Sequence, residues 1–226
     1  MSLSKLSKIY NEDYFERGIE KKVSNYAGYS WERLEFYFRE TAKHIVDKFN
    51  PKTVLDAGCA KGYLVYALRQ LGVDACGIDA SEYAVSQALE EVKDRIKQGL
   101  IQKLPYKDNQ FDVVICFDVM EHIPEDEVDK VLSEFVRVAK KYVVIRVPTR
   151  HEVNDLDRHH ETVKPKNWWE KKLSKHFTVE KANTYFNGNV WWFNIPDYLI
   201  VGKKVGKKQW QTEGNNTVAE FAIPEE

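Results

Sequence analysis

The chain predicts an α/β fold: a mainly parallel, seven-stranded sheet covered by helices on both faces. Two observations carry this. Thr53-Val54-Leu55 is a short apolar run that suits a buried parallel strand, and it leads through Asp56, Gly58 and Gly62 into the amphipathic pattern Leu64, Val65, Ala67, Leu68, Leu71. Further strand-like runs then alternate with helix-like ones down the chain, as crossover-connected parallel strands require. No internal repeat is visible.

Taken in order, residues 10–30 are crowded with tyrosine and charge (Tyr10, Tyr14, Phe15, Tyr26, Tyr29) and read as a lid or docking segment. Trp31 to Phe49 predicts a helix, with Leu34, Phe38, Ile45 and Val46 at helical spacing and Asn50-Pro51 as its stop. After the first strand and glycine loop, Ala75 to Asp79 is the second strand. Ser81 then caps a helix running to about Lys97, with Glu82 in its first turn. Leu100 to Leu104 reads as the third strand and Phe111 to Phe117 as the fourth. A helix from about Glu125 to Ala139 leads into the fifth, Lys141 to Val147. A polar loop, Pro148 to Lys164, precedes a helix near Pro165 to Lys175. Two runs, Thr178 to Phe186 and Asp197 to Val205, read as the last strands, joined through Asn187-Gly188-Asn189. The expected organisation is a lid over residues 1–30, one α/β domain over 31–206 and a loose polar tail over 207–226. Right-handed crossovers bring the loops after strands one, two, four and five to one rim, where ligands of such sheets bind.

The 226 residues suit one full α/β core. Lys+Arg 34 against Asp+Glu 35 leaves a net charge of −1, which argues against recruitment of nucleic acid or membrane by a global field. Cys59, Cys76 and Cys116 are three widely spread cysteines, suited to reduced thiols in a cytosol rather than to a disulfide frame. Met1 to Tyr10 lacks the apolar centre of a signal peptide, and no run approaches the roughly 18 apolar residues of a membrane span. A cytoplasmic protein is expected.

The glycine loop is the informative part of the chain. Free backbone N–H groups at a helix N-terminus make a nucleotide-type crevice. Asp56, however, opposes a pyrophosphate and suits an ammonium group. That favours S-adenosylmethionine (SAM), which carries an amino acid, over NAD.

Three motifs stand in order: Val54-Leu55-Asp56-Ala57-Gly58-Cys59-Ala60-Lys61-Gly62, then Gly77-Ile78-Asp79, then Leu104-Pro105 through Phe111-Asp112-Val113-Val114 followed by Glu121-His122-Ile123. Together, over roughly residues 30–205, they resemble class I SAM-dependent methyltransferases. The resemblance implies a Rossmann-like sheet whose last strand is antiparallel, with SAM as cofactor. Gly58 and Gly62 would let the backbone turn tightly and approach the cofactor beside Ala57 and Cys59, and Asp56 would accept from its ammonium group. Asp79, about 20 residues past the loop, would take the ribose hydroxyls. Ala80 and Ser81 would flank the adenine, and Phe117 and Asp118 would lie under the methionyl end. Ala60 replaces the family's middle glycine. Leu100 stands where many relatives carry an acid, so backbone at Ile101 and Gln102 is expected to hold the adenine edge. Cys59 reads as a small loop filler, and Glu121 and His122 as structural.

An acceptor hydroxyl needs a base, and the loop after the fifth strand offers Asp155, Asp157, His159, His160 and Glu161. Asp157-Arg158-His159-His160-Glu161, leading to Pro165 and Trp168-Trp169, resembles a segment of methyltransferases that act on small molecules and surface sugars. On that match His160 is the first choice of base and His159 the second. No metal is expected, because this short cluster has no visible partner elsewhere in the chain. Tyr14, Tyr26, Tyr29 and Trp168 are expected to hold the acceptor; Trp191 and Trp192 read as core or rim. The expected activity is methyl transfer from SAM to an oxygen, or less readily a nitrogen, of a small metabolite or sugar, with a homodimer left open. The rivals are an NAD-dependent oxidoreductase, an RNA or protein methyltransferase, and a SAM-binding protein without turnover.

Overall fold

The computed structural model describes residues 2–149, 155–181 and 197–204. Among them, seven strands form one sheet in the order β3-β2-β1-β4-β5-β7-β6. The strands are β1 (Thr53–Ala57), β2 (Asp74–Asp79), β3 (Ile96–Gln98), β4 (Phe111–Phe117), β5 (Ala139–Pro148), β6 (Thr178–Lys181) and β7 (Asp197–Lys203). The first five pair in parallel, and β7 runs antiparallel to both β5 and β6. Strand order reverses direction at β1, which pairs with β2 on one side and β4 on the other. The crevice of such a sheet opens there, beyond the strand C-termini.

Among the described residues, eight α-helices surround the sheet: α1 (Leu3–Ile9), α2 (Glu12–Glu16), α3 (Gly18–Lys21), α4 (Trp31–Phe49), α5 (Tyr63–Gln70), α6 (Glu82–Ser86), α7 (Val128–Val138) and α8 (Lys166–Leu173). β1 and β4 are buried along almost their whole length, as continuous apolar strands covered on both faces must be. One core layer joins the sheet to α7 and α8 through Val131, Leu132, Phe135, Trp169 and Leu173. The opposite layer joins it to α4 and α5 through Ala42, Ile45, Leu64 and Leu68. No helix among the described residues is long and apolar enough to cross a membrane.

Two local expectations fail. The third strand is Ile96–Gln98, paired with Gly77–Asp79, and Leu100–Leu104 is a buried turn. Ile101 and Leu104 enter the core from that turn, and Leu104 donates its N–H to the Glu134 carboxylate at 2.7 Å. Apolar side chains therefore mark a buried loop here, while the strand itself shows only one apolar residue. The helix capped by Ser81 stops at Ser86, and a 3-10 turn over Glu90–Arg95 replaces the rest. β6 and β7 begin where expected. The junction at 187–189, Trp191, Trp192 and the tail from 207 lie outside the described residues.

The aromatic N-terminal segment is itself partly core. Tyr14, Phe15 and Tyr29 are buried with Tyr63 and Ala84 in a third cluster, and Tyr29 stacks on Tyr63 with ring centroids 5.2 Å apart. Polar contacts fasten it to the rim. Ser7 donates to the Ala80 carbonyl, Ser81 donates to the Tyr10 carbonyl, and Lys61, buried, pairs with Glu16 and donates to the Tyr29 carbonyl.

Candidate active site

One large crevice opens at the C-terminal edges of β1, β2, β4 and β5. Its walls combine the strand ends with the N-terminal helices. At the end of β1, Asp56 is 5% exposed, and burial, then the charge of Asp79, push its carboxyl up to about 7. At the end of β2, Asp79 accepts the backbone N–H groups of Ala60 and Ser81, both at 2.8 Å. Burial pushes its pKa up, and those hydrogen bonds oppose the rise. A carboxylate has about four acceptor sites, so Asp79 can take two backbone donors and still receive a pair of hydroxyls.

The loop between them is shaped for close approach. Gly58 has φ +93°, and a Cβ there would meet Val119 Cγ2 at 2.2 Å. Ala60, in the family's middle-glycine place, adopts the left-handed region at φ 47° and lines the crevice. Gly62 makes the expected tight turn at φ +75°, but its second role differs from the one expected. A Cβ there would strike Ile96 Cδ1 at 2.7 Å, so this glycine seats α5 against β3 and does not line the crevice.

Of the other expected cofactor residues, Cys59, Ala80, Ile101, Gln102, Phe117 and Asp118 line the crevice. Ala57 does not, because alternation along β1 turns its side chain into the core beneath. Ser81 does not either; its hydroxyl caps α6 by accepting the Ala84 N–H and donates to Tyr10. Asp118 is held by Arg146, whose Nε donates to Oδ1 at 2.8 Å and whose amino group donates to Oδ2.

Tyr14, Tyr26 and Tyr29 all line the crevice, joined by Tyr10, Tyr37, Phe15, Phe38 and Leu34. Trp168 does not. It lies with Trp169 against the α7 face of the core, with the ammonium groups of Lys172 and Lys164 over its ring at 5.3 and 5.7 Å. Helix α8 packs beneath β6 and β7, away from the strand ends that form the site.

The base expected at His160 or His159 stands one layer back, since neither ring lines the crevice and His122 does. The loop carrying the pair is stapled to the turn after β4. Glu161 and Thr162 both donate their N–H groups to the Glu121 carbonyl at 2.8 Å, and the Thr162 hydroxyl donates to the Ile123 carbonyl. This docking sets the His122 and His160 rings 4.8 Å apart. His122 is half-buried, and desolvation lowers its pKa to about 4, so the imidazole is neutral. Its Nδ1 lies 3.2 Å from the His159 carbonyl. A carbonyl only accepts, so Nδ1 carries the proton and Nε2 the lone pair. His160 Nδ1 bonds Asp155 Oδ2 at 2.7 Å, and Tyr14 donates its hydroxyl to Asp157 Oδ2 at 2.5 Å. The tyrosine wall, the histidine loop and the β4 turn are thus one connected structure. Sequence reasoning left His122, Arg146 and Tyr10 out of the site. His122 stands in the turn after β4, where the Glu121-His122-Ile123 motif was the available signal, and Arg146 near the end of β5, where strand-end position was.

With this geometry in place, the comparisons show what the chain resembles. Residues 55–145 match the family model described as a methyltransferase domain. Over that stretch, less than half of its length, the chain is similar to methyltransferase domains. Over 97 residues it is 31% identical to magnesium-protoporphyrin O-methyltransferase of Synechocystis, a stretch covering 41% of this chain and 42% of that protein. Over 95 residues it is 34% identical to ubiquinone biosynthesis O-methyltransferase of Methylococcus capsulatus, covering 39% of each. The chain therefore spans less than half the length of these curated relatives. The solved structure of the Synechocystis magnesium protoporphyrin IX methyltransferase with bound S-adenosylhomocysteine (SAH) superposes with a TM-score of 0.63 at 17% identity, over 90% of this chain and all of that one. A SAM-dependent methyltransferase from Archaeoglobus fulgidus gives 0.60 at 19% identity, over 77% and 95%. At those identities the superpositions speak for the fold. The crevice presents two acids on adjacent strand ends and a loop that packs so closely on Val119 at Gly58 that no Cβ fits there.

Proposed function

We propose that the protein transfers a methyl group from SAM to an oxygen, or less readily a nitrogen, of a small molecule held against the tyrosine wall. The observation that most supports this reading is the pair Asp56, buried, and Asp79, half-buried, on neighbouring strands and opening into one crevice. Two carboxylates there repel a diphosphate and complement an ammonium group and a ribose diol.

When bound, the cofactor supplies a methyl group already activated on a sulfonium. The chain's own work is then placement. Asp56 accepts from the ammonium group, Asp79 from the ribose hydroxyls, and the Gly58–Ala60 backbone lies close beneath. Phe117 and the paired Asp118 and Arg146 form the floor towards the acceptor. Tyr10, Tyr14, Tyr26 and Tyr29 offer flat faces on which an aromatic or sugar ring stacks, and they keep water from the reacting atoms. The acceptor's hydroxyl proton leaves past His122, which lines the crevice, to solvent or to Asp157 behind it. Residues 1–30 act as a lid, because the wall they form must move for ligands to enter.

Purified protein incubated with methyl-labelled SAM and a panel of phenols and sugar nucleotides tests this. Label in a small-molecule product, lost in Asp79→Ala, is expected. SAH binding without labelled product across the panel would favour a binding protein instead.

A further inference from the structure

The loop after β5 and the turn after β4 each carry half of a donor set that neither shows alone. Glu121 and His122 come from the turn, His160 from the loop, and one donor atom from each lies within 4.8 Å of the others. We propose that these three residues bind a divalent transition-metal ion of the zinc class, at the acceptor side of the crevice. The inference deepens the methyltransferase reading and rests on it for the location of the acceptor.

Four features support a built site. The ligand chemistry is right, since two imidazoles with a carboxylate suit zinc and its neighbours and leave further positions open. Both imidazoles are oriented from behind. His160 Nδ1 is held by Asp155 Oδ2 at 2.7 Å, and His122 Nδ1 by the His159 carbonyl at 3.2 Å, so each ring keeps Nε2 as its donor. Histidines that ligate metals characteristically carry such a partner on the other nitrogen. Asp155 is in turn fixed, accepting from Asn25 and from the Asp157 N–H at 3.0 and 2.9 Å. Finally, Asp157 Oδ2 lies 4.0 Å from His160 Nε2 and already receives the Tyr14 hydroxyl, which brings a second carboxylate to the rim of the cluster.

Bonds of about 2.0–2.2 Å hold ligand atoms roughly 3–4 Å apart, so an ion draws the three groups together by about an ångström. His122 lines the crevice, so a position left open on the ion faces the acceptor. A hydroxyl bound there is more acidic than in water and releases its proton to solvent or to Asp157.

The test is metal binding by the whole chain, stripped with chelator and titrated with Zn²⁺ by calorimetry and with Co²⁺ by visible absorption. One ion per chain at about 10 µM or tighter is expected. His160→Ala and Glu121→Gln should each weaken binding at least tenfold, and Asp155→Asn by ~10–100-fold. His176→Ala, at a separate His–Asp pair, should leave it unchanged. No binding below about 1 mM by the folded wild-type protein overturns the proposal. So does binding that survives the first two substitutions with circular dichroism unchanged, or a thiolate-to-cobalt charge-transfer band. SAH titrated into the same sample separates the two readings. SAH binding without metal binding overturns the metal site alone. Metal binding without SAH binding supports the site and contradicts the cofactor reading.

Discussion

Asp118 and Arg146 close a two-point ion pair between the ends of β4 and β5, with the Asp118 N–H donating to the Arg146 carbonyl at 3.0 Å. The guanidinium also lies over Phe117 and Tyr37, 5.1 and 5.4 Å from the ring centroids. Charge and packing therefore hold the floor of the crevice together. The Asp118 side chain is 37% exposed, which limits what the charges contribute. Arg146→Met should lower stability by about 1–2 kcal/mol in urea denaturation. A double-mutant cycle with Asp118→Asn should leave a coupling of ~0.5–1 kcal/mol.

On the proposed reading, Asp56 should make cofactor binding depend on pH. Its carboxyl is held near 7 in the ligand-free fold by burial and by Asp79, whereas the binding form is the carboxylate. SAH affinity should fall as pH drops below about 7, approaching tenfold per unit, when measured by calorimetry between pH 5.5 and 8. Asp56→Asn should flatten that profile while weakening affinity at pH 8.

The same group has a stability signature of opposite sign. Its folded pKa exceeds the unfolded value, so its contribution is full below about pH 4 and is lost as pH rises towards 7. Ligand-free Asp56→Asn should therefore unfold at a higher temperature than wild type at pH 8, with the gap closing towards pH 4.5. Differential scanning calorimetry at the two pH values reads this.

Gly58→Ala should combine backbone strain with collision. Its φ of +93° disfavours any Cβ, and Val119 occupies the space. A loss of about 2–4 kcal/mol in stability, with SAH affinity reduced at least tenfold, is expected. Adding Val119→Ala should recover only part of the stability, because the dihedral cost remains.

The N-terminal segment should govern how fast ligands leave. Lys61 is the buried end of an ion pair with Glu16 and reaches across to the Tyr29 carbonyl. Lys61→Met removes both links and leaves the acids of the cofactor site in place. SAH release followed by stopped-flow fluorescence should accelerate several-fold, with a smaller change in association.

Residues with a strong local pattern were legible in the sequence. The β1 run, the Asp56–Gly58 turn, Asp79 and the stop at Asn50-Pro51 depend on neighbours within a few positions, and all stand where their pattern puts them. β3 was missed because Ile96–Gln98 is a single buried residue followed by two exposed ones, whereas the Leu100–Leu104 turn is apolar for reasons of long-range packing. Gly62 was legible as a tight-turn glycine, as its φ of +75° bears out, whereas the close approach of Ile96 is tertiary and left no local signal. The histidine cluster fails in the same way. His160 carries the obvious local motif, but its partners Glu121 and His122 lie 38–39 positions earlier and meet it through the Glu161 and Thr162 staple.

The central claim is that two strand-end acids select an ammonium-bearing nucleoside over a dinucleotide. Parallel calorimetric titrations of the purified chain with SAH and with NAD test it most directly. The account predicts one SAH bound per chain at micromolar affinity, abolished by Asp56→Ala and Asp79→Ala, with no heat from NAD. Saturable NAD binding that displaces SAH, or SAH binding indifferent to both substitutions, would contradict it.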